Sequence, residues 1–364
     1  MYLWQQEDWP NFHWNDGTLL EPVAHASERR GMLQGLLMQA GLGDQREIYL
    51  RSITDEVVEN SKIEGEIINA DAARSSITRR LGLPTALGEH DAKTEGVVAM
   101  ALDATQNFKQ PLDAQRLFQW HADLFPFEHE HQRERPVARW RTAQEGPMRV
   151  VSGPVGRERV HFEAVDAERV PTEMSRFLRW FNDEAAIDGI VRSALAHLWF
   201  ETIHPFFDGN GRIGRAIADM VLARAERSAE RYYSLSAQIQ RDRKDYYAIL
   251  ERTQHGTMDI TDWITWYLGC YTRAIDSALH TAQNVMLPAR FWAIHAGLAV
   301  NDRQRDLLMR LLRGFDGNLT VKKWAEITKR SDDAAYRDIS DLVHKNLLIA
   351  KGGSKNTSYE LVPF

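Results

Sequence analysis

Apolar residues recur at intervals of three and four through most of the chain, the period that puts them on one face of a helix. With Glu, Gln, Ala, Leu and Arg between them, they predict helices over residues 28–42, 46–63, 92–107, 113–125, 171–183, 190–203, 211–228, 243–253 and 260–279. Alternation of apolar and polar positions is scarce. Its clearest run flanks residues 152–156, Ser-Gly-Pro-Val-Gly, where 148–151 and 159–162 predict a hairpin with a turn-rich loop. Beyond residue 303 the pattern changes. Leu307, Leu308, Leu311 and Leu312 mark one helix, and Thr320 caps a second that runs to about Thr328. Ser331 caps a third, with Tyr336, Ile339, Leu342 and Val343 as its inner face, and residues 347–350 and 358–362 read as strands around 352–356. Three helices and a β-wing predict a winged-helix-like domain over 303–364 behind a mainly α body.

Composition narrows the class. With 364 residues, 43% apolar and 26% charged, this reads as a soluble globular chain of one large domain or two to three smaller ones. A net charge of −6 excludes a protein built to coat nucleic acid. The charge is uneven: residues 303–364 carry +4 and the remainder −10. A basic C-terminal region leaves DNA binding open. Yet the outward positions of its third helix include Asp332, Asp333, Asp338 and Asp341, opposed by Arg337 and Lys345, and acidic groups repel phosphates. A protein-interaction or packing role is preferred. The single cysteine, Cys270, excludes an internal disulfide and sits in an apolar helical stretch as a small buried hydrophobe. The sequence shows neither a basic segment followed by an apolar run nor an eighteen-residue apolar stretch, so the expectation is a cytoplasmic protein without a membrane span. Trp4, Trp9, Phe12 and Trp14 are expected to dock against the body. His129-Glu130-His131 finds no convincing third metal ligand and reads as an exposed loop.

The candidate chemistry lies in His204-Pro-Phe-Phe-Asp-Gly-Asn-Gly-Arg-Ile-Gly-Arg215. Within twelve residues it holds a base, a carboxylate, a glycine-rich turn and two arginines. The glycines around Asn210 permit a tight turn that presents N–H groups to an anion. Ile213, Ile217, Met220 and Val221 have helical spacing, which puts the turn at a helix N-terminus, where the dipole favours negative charge. Arg212 and Arg215 share a side of the first turn and can reach two different phosphates.

The string His-x-Phe-x-Asp-Gly-Asn-Gly-Arg-x-x-Arg resembles the signature of the Fic family at every defining position, and the resemblance extends over roughly residues 45 to 285. It implies transfer of AMP from ATP to a protein hydroxyl. By that resemblance His204 is the general base and Asp208 holds Mg²⁺. Asn210 and the N–H groups of Gly209 and Gly211 cradle the α- and β-phosphates, Arg212 takes the β-phosphate region and Arg215 the γ-phosphate. Phe206 anchors the loop. Tyr246 and Tyr247, in Lys-Asp-Tyr-Tyr, fall where the family often places groups around adenine or ribose, though paired tyrosines on a helix also serve packing. The hairpin, with Arg139-Trp140-Arg141 before it and Val170-Pro171 opening a helix after it, matches the family's flap, whose edge holds the target backbone by strand addition.

A second constellation is Asn60-Ser-Lys-Ile-Glu64-Gly65. Ile53, Val57, Asn60 and Glu64 share one helix face, so Glu64 is expected to point inward toward a cation. It resembles the inhibitory motif of the family and implies pairing of Glu64 with Arg215. Asn60 stands where the family usually has Ser or Thr, and Ser61 follows one place later. The expected organisation is an N-terminal helical region over 1–90 with the inhibitory helix at about 46–64, a catalytic core over 91–285 with the flap at about 147–162, and the winged-helix-like domain. The leading reading is an adenylyltransferase autoinhibited by Glu64. De-AMPylation at the same site and DNA-binding regulation through the C-terminal region stay open, as do self-modification and a homodimer.

Overall fold

In the computed structural model, residues 1–84, 91–126, 136–152, 157, 159–183, 186–353 and 357–364 are described. Contacts divide the chain into two units: Met1–Met38 with Arg46–Leu279, and Gln39–Gln45 with His280–Phe364. The regions expected at 1–90 and 91–285 thus lie mostly in one unit, and the second starts before residue 303 and takes in a short N-terminal segment.

Helices α1 (Asp16–Gln39), α2 (Leu42–Ile63), α3 (Ala70–Arg80), α4 (Ala92–Gln106) and α5 (Ala114–Leu124) precede a hairpin of β1 (Arg149–Ser152) and β2 (Arg159–Glu163). After it come α6 (Val170–Asn182), α7 (Gly189–Ile203), α8 (Asn210–Glu226), α9 (Leu235–Arg241), α10 (Arg243–Gln254) and α11 (Thr261–Ile294). Pro22 lies inside α1, which starts well before the predicted residue 28. Its buried positions Leu19, Ala26, Leu33 and Leu37 come about once in two turns, too thin a stripe to see early in the sequence. Helix α3 was not predicted because its buried side is Ala73, Ser76, Ile77 and Thr78, mostly small and polar. Helix α9 is too short to show a period.

The centre of the first unit is α7 against α8. Nearly every residue of α7 is buried, as an all-round apolar helix must be. Gly214 permits the close crossing: a Cβ there would lie 2.5 Å from Glu201 Oε1 and 3.3 Å from the Phe200 ring. The N-terminal aromatics dock on this body. Buried Trp4 donates its indole N–H to the Glu163 carbonyl (2.8 Å), and Trp9 donates to Glu173 Oε2 (2.9 Å). Cys270 is buried, and no helix among the described residues is long and apolar enough to cross a membrane. Strands β1 and β2 pair antiparallel, with Ser152 opposite Arg159 and a bulge where Val150–Val151 meets the step from Phe162 to Val160. The loop at 153–156 and His129-Glu130-His131 lie outside the described residues.

The second unit contains α12 (Asp302–Arg313), α13 (Val321–Thr328), α14 (Asp332–His344) and an antiparallel pair, β3 (Leu348–Lys351) and β4 (Ser358–Leu361). Thr320 accepts from the Lys323 N–H (3.2 Å) and Ser331 from the Ala334 N–H (3.3 Å), so both expected caps form. Leu307, Leu308, Leu312, Trp324, Ile339 and Leu342 build the core. Two positions on α14 differ from expectation. Its inner stripe runs Ala335, Asp338, Ile339 and Leu342, which turns Tyr336 outward at 56% exposure. Asp338, expected to face solvent, is buried and accepts from Arg303 Nε (2.8 Å) and Nη2 (2.9 Å).

Candidate active site

Helix α7 stops at Ile203, and His204 takes a left-handed backbone conformation (φ 52°, ψ 60°) that starts the loop into α8. Buried Arg141 clamps this bend. Its N–H donates to the Pro205 carbonyl (2.9 Å), its Nε to the His204 carbonyl (2.7 Å), and its Nη2 to the carbonyls of Ile203 (3.2 Å) and Val165. Burial lowers its pKa to about 10.

Asn210 closes the loop from the other end. The Phe206 N–H donates to Asn210 Oδ1 and Asn210 Nδ2 donates to the Phe206 carbonyl, both at 2.9 Å. Phe206 is buried and stacks on His121, centroids 4.2 Å apart. His121 Nδ1 accepts from the Ala138 N–H (3.0 Å), which fixes the ring proton on Nε2, and Nε2 donates to the Asp208 carbonyl (3.1 Å). Burial pushes its pKa down to about 4, so the ring is a neutral prop for the loop.

The anion site is therefore narrower than the sequence suggested. The Asn210 side chain is committed to Phe206, and the Gly209 N–H donates to Asp208 Oδ1 (2.6 Å). The first helical bond runs from the Ile213 N–H to the Gly209 carbonyl (3.1 Å). The N–H groups of Asn210, Gly211 and Arg212 are left as the orphan donors of a helix start.

His204 Nδ1 lies 3.3 Å from the Glu201 carbonyl oxygen, an acceptor, so Nδ1 carries the proton and the lone pair is on Nε2. Burial, then the Arg141 charge, lower its pKa to about 4, and the ring is neutral at physiological pH. The Glu201 carboxyl sits 3.7 Å from the same Nδ1. It is buried, and burial pushes its pKa up to about 8, against the pull of Arg215.

The two arginines meet two different acids. Arg215 donates from Nη2 to Glu64 Oε1 (2.7 Å) and to the Asn60 carbonyl (3.1 Å), and from Nε to Asn60 Oδ1 (2.6 Å). Asn60 Nδ2 donates to the Arg212 carbonyl (3.3 Å). The side-chain contact to the arginine is thus made by Asn60, while buried Ser61 contributes its carbonyl to the turn, accepting from the N–H groups of Glu64 (3.1 Å) and Glu66 (3.0 Å). Arg212 donates from Nη1 to Glu66 Oε2 (2.5 Å), and Lys93 Nζ lies 3.0 Å from Glu66 Oε1. Glu64 reaches past its ion pair: a Cβ on Gly211 would lie 2.1 Å from its Oε1. Its carboxylate rests on the first turn of α8, where the helix favours an anion.

A cavity of about 610 Å³ opens here. Glu64, Gly211, Glu201, His204, Tyr246 and Tyr247 line it together with Val150, Val151, Ser152 and His161 of the hairpin and Glu251 of α10. Among the described residues there is no cluster of three or more His, Cys, Asp or Glu that could hold a metal alone. Magnesium, which needs few protein ligands when phosphates supply the rest, fits the partly exposed Asp208 carboxylate at the loop.

Residues 111–222, which contain this loop, match the Fic/DOC family, and residues 2–83 match a domain family of unknown function, DUF4172. The chain carries a Fic/DOC domain. Relatives of it include the protein adenylyltransferase fic-1 of Caenorhabditis elegans, 28% identical over 39% of this chain and 28% of its own length. A probable protein adenylyltransferase of Aquifex aeolicus is 32% identical over 26% of this chain and 35% of its own. The protein adenylyltransferase Fic of Nematostella vectensis is 34% identical over 31% and 25%. The matches thus span about a quarter to a third of these curated relatives. Among solved structures, a Fic family protein from Desulfovibrio desulfuricans superposes with a TM-score of 0.56 at 21% identity, covering 96% of this chain and 97% of that one. A Fic-domain signalling protein from Bacteroides thetaiotaomicron gives 0.52 at 18% identity, covering 71% and 98%. These two likenesses speak to the fold.

Around the Fic/DOC loop, the residues singled out in the sequence converge from α2, α8 and the loop itself, together with Tyr247, 37% exposed on the cavity wall beneath the Arg243 guanidinium. Tyr246 is fully buried, its hydroxyl 2.8 Å from His197 Nε2. Sequence reading missed Glu66, His121 and Glu201 and gave Arg141 no role. Of these, Glu66 carried a local sign, as a second acid in Glu64-Gly65-Glu66 opposite two arginines.

Proposed function

We propose that this chain is a protein adenylyltransferase that moves AMP from ATP to a hydroxyl side chain of a target protein. One observation carries the reading: a carboxylate lies on the first turn of α8 between Arg215 and Gly211, in a cavity that also contains the lone-pair nitrogen of His204. A site that seats one anion there suits the phosphates of a nucleotide.

The hydroxyl gives its proton to His204 Nε2 as its oxygen attacks the α-phosphorus, and the bond to the β-phosphate breaks to release pyrophosphate. The free N–H groups at the start of α8 hold phosphate oxygens, with Arg212 toward the β-phosphate and Arg215 toward the γ-phosphate. Asp208 would hold Mg²⁺, which supplies neutralising charge across the phosphates. Glu64 is then an internal inhibitor: while it holds Arg215 and rests on Gly211, it competes for the γ-phosphate position. The partly exposed Val150, Val151 and Val160 make the hairpin edge a dock for an extended target segment. The second unit reads as a winged-helix-like module for protein contact. Its buried Asp338 leaves Asp332 and Asp333 at the start of α14, an end that disfavours phosphate.

The test uses ATP labelled at either phosphate with the Glu64→Gly protein and a cell lysate. Protein label from the α position alone supports adenylyl transfer. Label from the γ position, or none from either, sinks it.

A further inference from the structure

A hydroxyl with its own base already faces the cavity. Ser152 Oγ lies 2.5 Å from His161 Nε2, and His161 Nδ1 lies 2.8 Å from Glu251 Oε2. Since an ionised carboxylate only accepts, the neutral imidazole carries its proton on Nδ1 and its lone pair on Nε2, and the Ser152 hydroxyl is then the donor. Glu251 is held in place by Arg159, whose Nη2 donates to Oε1 (2.9 Å). Burial works against its charge, but the bonds from His161 and Arg159 keep it below the usual carboxylate range.

This arrangement follows from the bulge in the hairpin. Val150 pairs with Phe162 and Val151 with Val160, which makes His161 the extra residue on β2. A bulge re-aims one side chain, and here it lets His161 bridge Ser152 on β1 and Glu251 on α10. A tether between hairpin and helix would need only the bonds from Arg159 and His161 to Glu251. The serine adds an ordered nucleophile–base–carboxylate series, the arrangement that activates a hydroxyl, and all three residues line the cavity that contains Glu64, Gly211 and His204.

We propose that Ser152 is a self-modification site that accepts AMP, with His161 as its base and Glu251 orienting the imidazole. This rests on the adenylyl-transfer reading of the cavity. The Ser152 proton passes to His161 Nε2, the Oγ–phosphorus bond forms at the α-phosphate, and the bond to the β-phosphate breaks, pyrophosphate leaving with the electron pair. The imidazolium, stabilised by Glu251, later returns the proton to water. The product is a phosphodiester on β1, at the strand that lines the target dock.

The experiment incubates the full-length Glu64→Gly protein with ATP and Mg²⁺, maps adenylyl groups by peptide mass spectrometry and follows pyrophosphate release in parallel. The expected result is one adenylyl group on the Ser152 peptide. It is lost in Ser152→Ala, retained on the new hydroxyl in Ser152→Thr, and slowed by a factor on the order of 10² in His161→Gln, which can still donate to Glu251 but takes no proton. Pyrophosphate release with adenylyl groups only at other residues, or equal rates for Glu64→Gly with and without His161→Gln, overturns the proposal alone. No label on the protein itself, while the same protein labels lysate proteins from α-labelled ATP, overturns the proposal alone; no label in either experiment overturns the adenylyl-transfer reading and the proposal with it.

Discussion

Glu66 and Arg212 form an ion pair at 2.5 Å in which the arginine is 1% exposed and the acid is also held by Lys93. A nucleotide that takes the Nη1 donor of Arg212 must therefore displace a second carboxylate besides Glu64. Removing one partner leaves a buried guanidinium with an unmet donor, at about 1–3 kcal/mol. Glu66→Ala should lower Tm without ATP and show a larger Tm rise on adding ATP with Mg²⁺ than the parent protein. Equal thermal shifts in the two proteins would mean that Arg212 keeps Glu66 when nucleotide binds.

Glu64→Gly should raise the rate of adenylyl transfer. Misplacement of a phosphate by about 1 Å can cost on the order of 10² in rate, and the Glu64 carboxylate occupies the helix start. Arg215→Ala should stay slow because it loses the inhibitory pair and the phosphate contact together, and the double variant should follow Arg215→Ala. Transfer of α-label in the four proteins is the measurement, with equal labelling by parent and Glu64→Gly as the contrary result.

The pH profile should lack the ordinary histidine limb. With the His204 pKa lowered to about 4, the base is already deprotonated above that value, so kcat/KM should stay level as pH falls through 6.5. Glu64 raises this pKa, so the Glu64→Gly protein moves the limb lower still. His204→Ala should lose about 10²–10⁴ in rate across the level range of the profile while still binding ATP. A drop in kcat/KM centred near 6.5 in the Glu64→Gly protein, absent from its ATP affinity, would assign the proton to another group.

His121 makes a stability prediction with a definite sign. Its folded pKa is about 4, below the ordinary 6.5, so its contribution is complete above pH 6.5 and is lost as pH falls toward 4. Between pH 7 and 5 the parent protein should lose about 2 kcal/mol relative to His121→Asn, which does not titrate. Urea unfolding of both proteins at the two pH values checks it, and a pH-independent difference would place His121 in contact with water.

The loop from His204 to Arg215 was legible because its chemistry is contiguous, and Glu64 because a helix face aimed it inward. What the sequence concealed lies across long separations. The Arg141 side chain reaches the carbonyls of Val165, Ile203 and His204 from 24, 62 and 63 residues away, His121 reaches Asp208 from α5, and Glu201 is one more residue on an all-buried helix. In the second unit, sorting by polarity alone put Tyr336 inside and Asp338 outside. The order reverses because Arg303 neutralises the aspartate where the stripe passes.

Asn60 holds Arg215 at both Nε and Nη2, and neither contact depends on Glu64. When the acid leaves, the guanidinium stays aimed and its Nη1 has no protein acceptor. Ordering a free arginine costs about 2 kcal/mol in rotamer entropy. Here that ordering is complete before any phosphate arrives, so an incoming nucleotide meets a rigid receptor at this position and binding there carries little entropic penalty.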